Sequence, residues 1–452
     1  MARQSQNLTD VMLHGPILPM LLRLASPNVL AFFVQTLVGI AEVWYVGQLG
    51  TLALAGLALV YPLLMLMNMM SAGALGGAVA SSVARSVGRG AIDRGEALIW
   101  HALVLGGAGA GCFTVVYFSF GDTILSLLGG EGEVLIQARA YAVILFLGCG
   151  LLWTVNILAS VFRGVGEMKF PAALMLLGVC IQVPLSGALI LGWGPFPQMG
   201  ISGAALSAMV SATVTILILL ARLLFGHPLV KLRAGALRLQ RELFRDILKV
   251  GLLASVSPFI SIFTVLCITS LVSRFGPAAL AGYGIGARLE FMIVPLIFGI
   301  GAALTAMVGV NTGAGKRERA LRIGWIGAAT AGALAGGIGL LVAIFPELWV
   351  GLYTDDAAVF ASGSAYLRIV GSLYLFQGVG LALFFASQGA GTVVWPVAAV
   401  LLRFIVAAGG GAIVVMAMDM GLTALFILVG AGTIIFGTVT ALSILFGAWR
   451  RG

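Results

Sequence analysis

Long uncharged runs dominate the pattern of hydrophobic and polar positions along this chain. About 20 apolar residues are needed for a helix to cross roughly 30 Å of hydrocarbon. Each run except the shorter one at 404–418 is therefore long enough for at least one transmembrane helix, and the longest ones for two. The runs cover residues 24–41, 43–84, 97–121, 140–162, 170–221, 250–273, 291–315, 323–346, 369–402, 404–418 and 420–449.

Glycine- and proline-rich stretches divide the longest runs. They lie at residues 47–50, 192–200 (GWGPFPQMG) and 387–396 (SQGAGTVVWP), and such clusters are typical of turns between periodic segments. Division at these points predicts an all-α membrane protein of twelve transmembrane helices.

An internal repeat indicates that the twelve helices form two related halves. LGTLALAG at residues 49–56 matches FGPAALAG at residues 275–282 in five of eight positions, and RGVGEMKFP at 163–171 corresponds to QGAGTVVWP at 388–396. Repeats of this parallel kind are common in transporters. We therefore expect two pseudo-symmetric six-helix lobes, residues 1–225 and 248–452, joined by a linker at 226–247.

The linker region is too charged to cross a membrane. From residue 226 to 249 it reads GHPLVKLRAGALRLQRELFRDILK, in which Leu and Phe alternate with Arg and Lys. This pattern predicts an amphipathic helix at the cytoplasmic membrane surface. A solvated loop without an ordered helix is the alternative.

Composition and charge support a membrane protein whose termini lie in the cytoplasm. Of the 452 residues, 61% are hydrophobic and 9% charged, with a net charge of +9. Most basic residues fall in alternate loops, the distribution expected of cytoplasmic segments, so the positive charge indicates topology and not nucleic-acid binding. We expect a monomeric, multi-pass protein of a bacterial inner membrane, with the lipid bilayer and small molecules as its partners.

The sequence argues against an enzyme and against a metal site. NTGAGK at 311–316 resembles a phosphate-binding loop, but Val310 and Arg317 replace the required glycine and hydroxyl residue. The three histidines, His14, His101 and His227, are too scattered for a metal or acid–base centre. The four cysteines lie in apolar runs and are expected to pack there. We expect no catalytic residues, no metal and no cofactor.

Glu42 is an acidic residue between two long uncharged runs. An ionised carboxylate at membrane depth is costly unless it is paired or hydrated, so a functional role is the default interpretation. Burial favours the protonated form, and such a group can exchange a proton during transport. The alternative is that Glu42 lies near the outer interface and extends its carboxylate to water.

Three segments resemble the multidrug and toxic compound extrusion (MATE) family. They are EVWYVGQLG at 42–50, MGISGAALS at 199–207 and AGYGIGARLEFMIVPLIFGIGAALTAMVGVNTGAGKRERA at 281–320. Glu42 stands where the family usually has a first-helix aspartate. The resemblance, which extends over nearly the whole chain, implies a central cavity, alternating access and export driven by protons or sodium ions.

The resemblance also locates a coupling-ion site, with departures from the family pattern. The family's fifth-helix Asn-x-x-x-Asp falls on Gln182 and Ser186, so Glu42 is left as the only acid of the site. Asn156, Gln182, Ser186 and Ser207 are the expected hydrogen-bond partners of Glu42. Because sodium prefers several oxygen ligands including carboxylate, a lone acid favours protons. Ordinary hydrogen bonding between helices is the alternative role of Gln182 and Ser186.

Two charged residues, Arg288 and Glu290, enter the eighth predicted helix from outside. As close neighbours they form either a solvated pair at the rim or a gate that faces the cavity. If Glu290 points inward, it is a second candidate for binding a cationic substrate or the coupling ion. Gln377 and Arg403 are further polar residues within spans, and the sequence assigns them no role.

The sequence therefore predicts a secondary exporter of organic, cationic or amphipathic compounds in exchange for protons or sodium ions. The competing hypothesis is a flippase for lipid-linked oligosaccharides or a polysaccharide exporter of the wider superfamily. Such a cavity would need several basic residues for pyrophosphate, whereas positive charge within the spans is nearly limited to Arg403. A membrane enzyme or a receptor ranks third.

Overall fold

The computed structural model describes residues 2–227, 229–233 and 239–449, and every regular element within them is a helix. In chain order the helices are α1 (Ala2–His14), α2 (Ile17–Gly47), α3 (Thr51–Gly88), α4 (Ile92–Leu127), α5 (Gly132–Leu147), α6 (Cys149–Gly164), α7 (Lys169–Leu191), α8 (Ile201–Gly226), α9 (Arg241–Ser273), α10 (Pro277–Gly313), α11 (Arg317–Ile344), α12 (Ala357–Ala390), α13 (Val394–Ala417) and α14 (Leu422–Leu445).

These described helices provide twelve membrane spans, as predicted. Eleven of them are individually long and apolar enough to cross a bilayer, and α5 with α6 forms the twelfth span. The breaks between α2 and α3, between α7 and α8 and between α12 and α13 lie in the three predicted turn regions. Local composition was therefore sufficient to locate the spans.

The span formed by α5 and α6 is bent by 51° at Gly148. The sequence predicted one span over residues 140–162 without a break. At the bend Gly148 donates to the carbonyl of Ile144 at 2.9 Å, and Leu151 donates to the carbonyl of Gly148 at 2.9 Å. A Cβ on Gly148 would collide with the Sδ of Met209, so a larger residue at this bend requires the Met209 side chain to move.

The chain forms two compact units. Unit 1 contains residues 1–10 and 30–251, and unit 2 contains residues 11–29 and 252–452. α2 and α9 therefore each contribute residues to both units. The lobe boundaries given above, residues 1–225 and 248–452 with a linker at 226–247, stay a prediction.

The repeated LALAG and AALAG sequences have the same packing role in the two units. A Cβ on Gly56 would lie 2.9 Å from the backbone nitrogen of Ala138 in α5, and one on Gly282 would lie 2.6 Å from that of Gly363 in α12. Both glycines thus allow two helix backbones to approach closely, as small residues do in membrane proteins.

The connection between α8 and α9 is held to unit 1 by side-chain contacts with its main chain. Residues 229–233 are not helical, because side chains replace the hydrogen bonds that a helix would supply. Glu96 accepts the Lys231 N–H at 3.0 Å, and Trp100 donates to the carbonyl of Arg233 at 3.0 Å. Of the amphipathic helix predicted within 226–249, residues 229–233 are not helical, whereas the part from Arg241 onward is helical as the start of α9. Residues 228 and 234–238 lie outside the described part of the chain.

Charged side chains also join the start of α9 to the rest of unit 1. Arg85, buried at the end of α3, lies 2.8 Å from Asp246 of α9. Arg94 of α4 lies 3.2 Å from Asp246 and 3.3 Å from Glu242. Because Asp246 is shared by two arginines, three helices meet at one carboxylate.

The segment that resembles a phosphate-binding loop has a structural role in unit 2. Asn311 donates from Nδ2 to the carbonyl of Met12 at 3.0 Å, and Lys316 donates to that of Leu13 at 3.4 Å. These groups satisfy carbonyls at the end of α1, where the helix itself supplies no donors.

Candidate functional site

Glu42 and Gln182 meet inside unit 1. The Gln182 amide, on α7, donates from Nε2 to Oε1 of Glu42, on α2, at 2.9 Å. The Glu42 residue is only 9% exposed. The acid is therefore an interior group with an uncharged hydrogen-bond partner, and its role in transport stays a prediction.

Close packing of α2 on α7 brings the two side chains together. A Cβ on Gly187 would lie 2.8 Å from the ring of Tyr45, so the glycine leaves room for this ring about one turn beyond Glu42. The Tyr45 ring also packs edge to face with Trp193, at a centroid distance of 5.6 Å. Aromatic contacts of this kind position the helices and hence the acid.

The other predicted partners of Glu42 make different contacts. Asn156 donates from Nδ2 to Oγ of Ser71 at 2.8 Å, and Ser207 donates to the carbonyl of Ala204 in its own helix at 2.8 Å. Ser186 is fully buried, and its Oγ has no hydrogen-bond partner in the described part of the chain. Of the four expected partners, the structure brings only Gln182 into hydrogen-bond contact with Glu42.

Tyr141 is a neighbour of Glu42 that sequence reasoning missed. It lies on α5, is 3% exposed, and interacts electrostatically with the Glu42 carboxylate. α5 carries no repeat or charge pattern that would associate it with α2, so the sequence offers no signal that Tyr141 lies near Glu42. The surroundings of the acid thus come from three helices: α2, α5 and α7.

The chemistry available around Glu42 is that of one carboxylate with neutral donors. No group of three or more His, Cys, Asp or Glu side chains that could hold a metal ion occurs among the described residues. A lone carboxylate with an amide donor can hold or release a proton, whereas hard cations prefer several oxygen ligands.

Unit 2 contains a second polar group, centred on Glu290 and Arg403. Arg403, on α13, donates from Nη2 to Oε1 of Glu290, on α10, at 3.0 Å and from Nη1 to Oε1 of Gln377, on α12, at 2.7 Å. The Tyr366 hydroxyl donates to Oε2 of Glu290 at 3.4 Å. The ion pair is thus held by groups from three helices.

The structure separates Arg288 from Glu290. Arg288 is exposed and lies over the ring of Tyr353, at 5.6 Å from its centroid, while Glu290 pairs with Arg403. Residues two positions apart on a helix do not face each other, which is why the solvated pair considered above does not form. The sequence assigned no role to Arg403, which pairs with Glu290, or to Gln377, which accepts a hydrogen bond from Arg403. Both lie far from Glu290 in sequence.

This chain is similar in sequence to a known protein family and to named transporters. A family model described as MatE matches residues 27–187 and 254–413, which is one match in each half of the chain. A probable multidrug resistance protein NorM of Thermotoga maritima is 25% identical over 436 residues, 95% of this chain and 93% of that protein. A FAD transporter of Shewanella oneidensis is 25% identical over 311 residues, 68% of each chain.

Solved structures share the fold. A MOP superfamily transporter from Pyrococcus furiosus, described as having a binding pocket of reversed polarity, superposes with a TM-score of 0.89 at 23% identity over 98% of both chains. The two family matches cover more than half of this chain, and the relatives are named as transporters. The chain therefore belongs to the MATE family of membrane transporters and is not an enzyme.

Proposed function

We propose that this transporter exports organic compounds, cationic or amphipathic, in exchange for protons that enter through Glu42. The observation that carries the proposal is the buried carboxylate of Glu42, whose hydrogen-bond donor is the uncharged amide of Gln182 at 2.9 Å. A carboxylate in this setting has two accessible states, because the amide favours the ionised form and burial favours the protonated one.

Protonation of Glu42 is the step that couples the two fluxes. A proton from outside neutralises the carboxylate, weakens its hydrogen bond to Gln182, and lets α2 repack against α7. This repacking releases the substrate and favours the inward-facing state, and deprotonation toward the cytoplasm resets the site. A ligand or proton shifts such an equilibrium only by its differential affinity for the two states.

The side chains around Glu42 favour protons over sodium as the coupling ion. Gln182 presents its Nε2 donor to Glu42, and an N–H group does not coordinate a cation. Among the predicted partners, Asn156 and Ser207 contact other atoms. Sodium coordination would need these side chains to turn toward Glu42.

The test is drug efflux in everted membrane vesicles with an imposed pH gradient or an imposed sodium gradient. We expect the pH gradient to drive efflux by the parent protein and Glu42→Gln to abolish the coupling, while Glu42→Asp retains part of it. Unchanged coupled efflux in Glu42→Gln would remove this residue from the mechanism. Sodium-driven efflux at fixed pH would overturn the proton preference.

A lipid-linked oligosaccharide flippase is less well supported. Pyrophosphate carries several negative charges and needs several basic groups, but the carboxylate of Glu290 lies 3.0 Å from the guanidinium of Arg403 and repels such an anion. We therefore retain small organic compounds as the substrate class.

We also propose that the protein acts as a monomer in a bacterial inner membrane, with both termini in the cytoplasm. The support is the distribution of basic residues, which cluster beside one set of loops, such as 85–94 and 316–322. Cysteine labelling checks the topology: a cysteine at Arg317 should react with impermeant reagents only from the cytoplasmic side. One at Asp355 should react only from outside.

A further inference from the structure

The ion pair of Glu290 and Arg403 is only partly buried. The two side chains lie within membrane-spanning helices, yet each keeps 20% of its surface exposed. Charged groups at membrane depth nearly always face a bundle interior or a water-filled cavity, since contact of a charge with lipid is costly. The exposed fraction of the pair is therefore accessible to water and to dissolved molecules.

Both partners retain hydrogen-bonding capacity. A guanidinium has five N–H donors, and Arg403 directs one at Glu290 and one at Gln377. A carboxylate has about four acceptor positions, and Glu290 uses one toward Arg403 and one, at 3.4 Å, toward Tyr366. A ligand can thus bind each partner without first breaking the pair.

Tight packing fixes the pair in position. A Cβ on Gly432 would lie 3.0 Å from the carbonyl oxygen of Arg403, and one on Gly286 would collide with the ring of Tyr366. The guanidinium carbon of Arg403 lies 6.0 Å from the centroid of Phe436. Functional groups held by packing in this way are preorganised for a ligand.

The charges of the pair select for a particular ligand chemistry. A monovalent cation near Glu290 meets the positive charge of Arg403 about 3 Å away, and a monovalent anion near Arg403 meets Glu290, so neither gains net attraction. A molecule with both an ammonium and a carboxylate binds both partners and adds no net charge to the interior. We propose that Glu290 and Arg403 form a recognition site for zwitterionic substrates, an inference that rests on the proposed export function.

Binding of three matched probes to the purified protein tests this site. Nα-dansyl-lysine is a zwitterion, its methyl ester is a cation without the carboxylate, and Nα-dansyl-norleucine is an anion without the ammonium. Calorimetric titration in detergent, corrected for partition into protein-free micelles, should show at least about tenfold tighter binding of the zwitterion than of either analogue. Equal affinities, or no binding of the zwitterion, would overturn the proposal.

Variants locate the preference in the pair. In Glu290→Gln and in Arg403→Gln, dansyl-lysine and its two analogues should bind with about equal affinity. Arg368→Gln removes an exposed cation from α12 and should retain the preference for dansyl-lysine. Unchanged preference in both pair variants would place recognition elsewhere. The exchange Glu290→Arg with Arg403→Glu preserves both charges and should restore part of the preference, while binding of tetraphenylphosphonium to every variant shows that it is folded.

This test can fail independently of the proposed function. Loss of zwitterion preference with intact proton-driven efflux would refute the recognition site and leave export standing. A clear preference in a protein that shows no proton-driven efflux would refute the coupling mechanism instead.

Discussion

Gln182 determines the environment of Glu42 through one hydrogen bond, 2.9 Å long. We expect Gln182→Leu to reduce proton-driven efflux by about tenfold, because a hydrogen bond to a charged group contributes roughly 1.5–3 kcal/mol and 1.4 kcal/mol corresponds to a factor of ten. Initial rates of efflux in everted vesicles measure the effect.

Ser186→Ala is the matched control for this substitution. Ser186 lies one helical turn beyond Gln182 on the same helix, and its buried Oγ has no partner in the described part of the chain. Its removal should change the efflux rate by less than about twofold, because no hydrogen bond is lost. A loss as large as that of Gln182→Leu would show that Ser186 takes part in coupling.

The second residue-scale prediction concerns the stability of the Glu290–Arg403 pair. Arg403→Met should destabilise the protein by up to about 3 kcal/mol, because removal of one partner leaves an uncompensated interior charge. The double variant Glu290→Gln with Arg403→Met should be less destabilised, since it leaves no charge behind. Thermal unfolding in detergent measures both, and a double variant less stable than Arg403→Met would contradict this account.

The two candidate sites differ in how far the sequence could predict them. Glu42 was identifiable because an acid within a long apolar run is costly, and Gln182 because the family spacing points to it. Arg403 carried no such signal, because its ion pair with Glu290 joins residues far apart in the chain, on α13 and α10. Contacts of this kind depend on tertiary structure, which local composition does not contain.

At the scale of elements, the repeated glycines control how closely helices pack. Gly282→Ala should destabilise the protein by about 1–3 kcal/mol, the usual cost of overpacking, because its Cβ would meet backbone atoms of α12 at 2.6 Å. Gly56→Ala should cost less, since the nearest atoms lie at 2.9 Å. Gly284→Ala, on the same helix with no atom within 4 Å of its Cβ, is the control.

Unfolding curves of the three variants in detergent test this order. Equal stability of Gly282→Ala and Gly284→Ala would show that α10 and α12 can separate without cost. The repeat would then reflect common ancestry alone and not a shared packing requirement.

The connection between α8 and α9 is anchored by His227 and Glu167. Nδ1 of His227 accepts the N–H groups of Leu229 and Val230 at 3.2 and 3.0 Å, and its Nε2 lies 2.9 Å from Oε2 of Glu167. Burial alone raises the pKa of Glu167, but the hydrogen bond from His227 and the positive charge of Arg222 more than offset this, so the pKa lies below its ordinary value.

Acid should therefore release this anchor. A carboxylate with a lowered pKa stabilises the folded form fully above its unfolded pKa of about 4.3, and this contribution is lost as the pH falls through the folded value. Hydrogen exchange at Leu229 and Val230, corrected for intrinsic rates, should show protection falling below about pH 4.3. In Glu167→Gln these two amides should be less protected at neutral pH than in the parent protein, and their protection should fall less below about pH 4.3. A fall in protection identical to that of the parent would exclude Glu167 as the titrating group.

At the scale of the whole molecule, the twelve spans followed from the sequence because each span and each turn is a local property. The bend at Gly148 did not. Met209 of α8 packs against this glycine, and a contact between residues so far apart leaves no local pattern in the sequence. The predicted linker helix was absent from residues 229–233 for a similar reason. Contacts with Glu96 and Trp100 of α4 compete with helix formation, and no pattern within the linker reveals them.

Substrate charge should determine how the membrane potential drives transport. Exchange of one monovalent cation for one proton moves no net charge, so each pH unit contributes about 1.4 kcal/mol and the potential contributes nothing. Exchange of a zwitterion for one proton moves one charge inward, and 100 mV then adds roughly 2.3 kcal/mol.

At fixed pH gradient, a potassium–valinomycin potential should leave efflux of tetraphenylphosphonium unchanged and raise the steady-state gradient of dansyl-lysine by about fiftyfold per 100 mV. A response of tetraphenylphosphonium to the potential would show that more than one proton enters per cycle, and Glu42 would then not be the sole proton carrier. Equal responses of the two substrates would contradict the account, because the two exchanges differ by one charge for any number of protons.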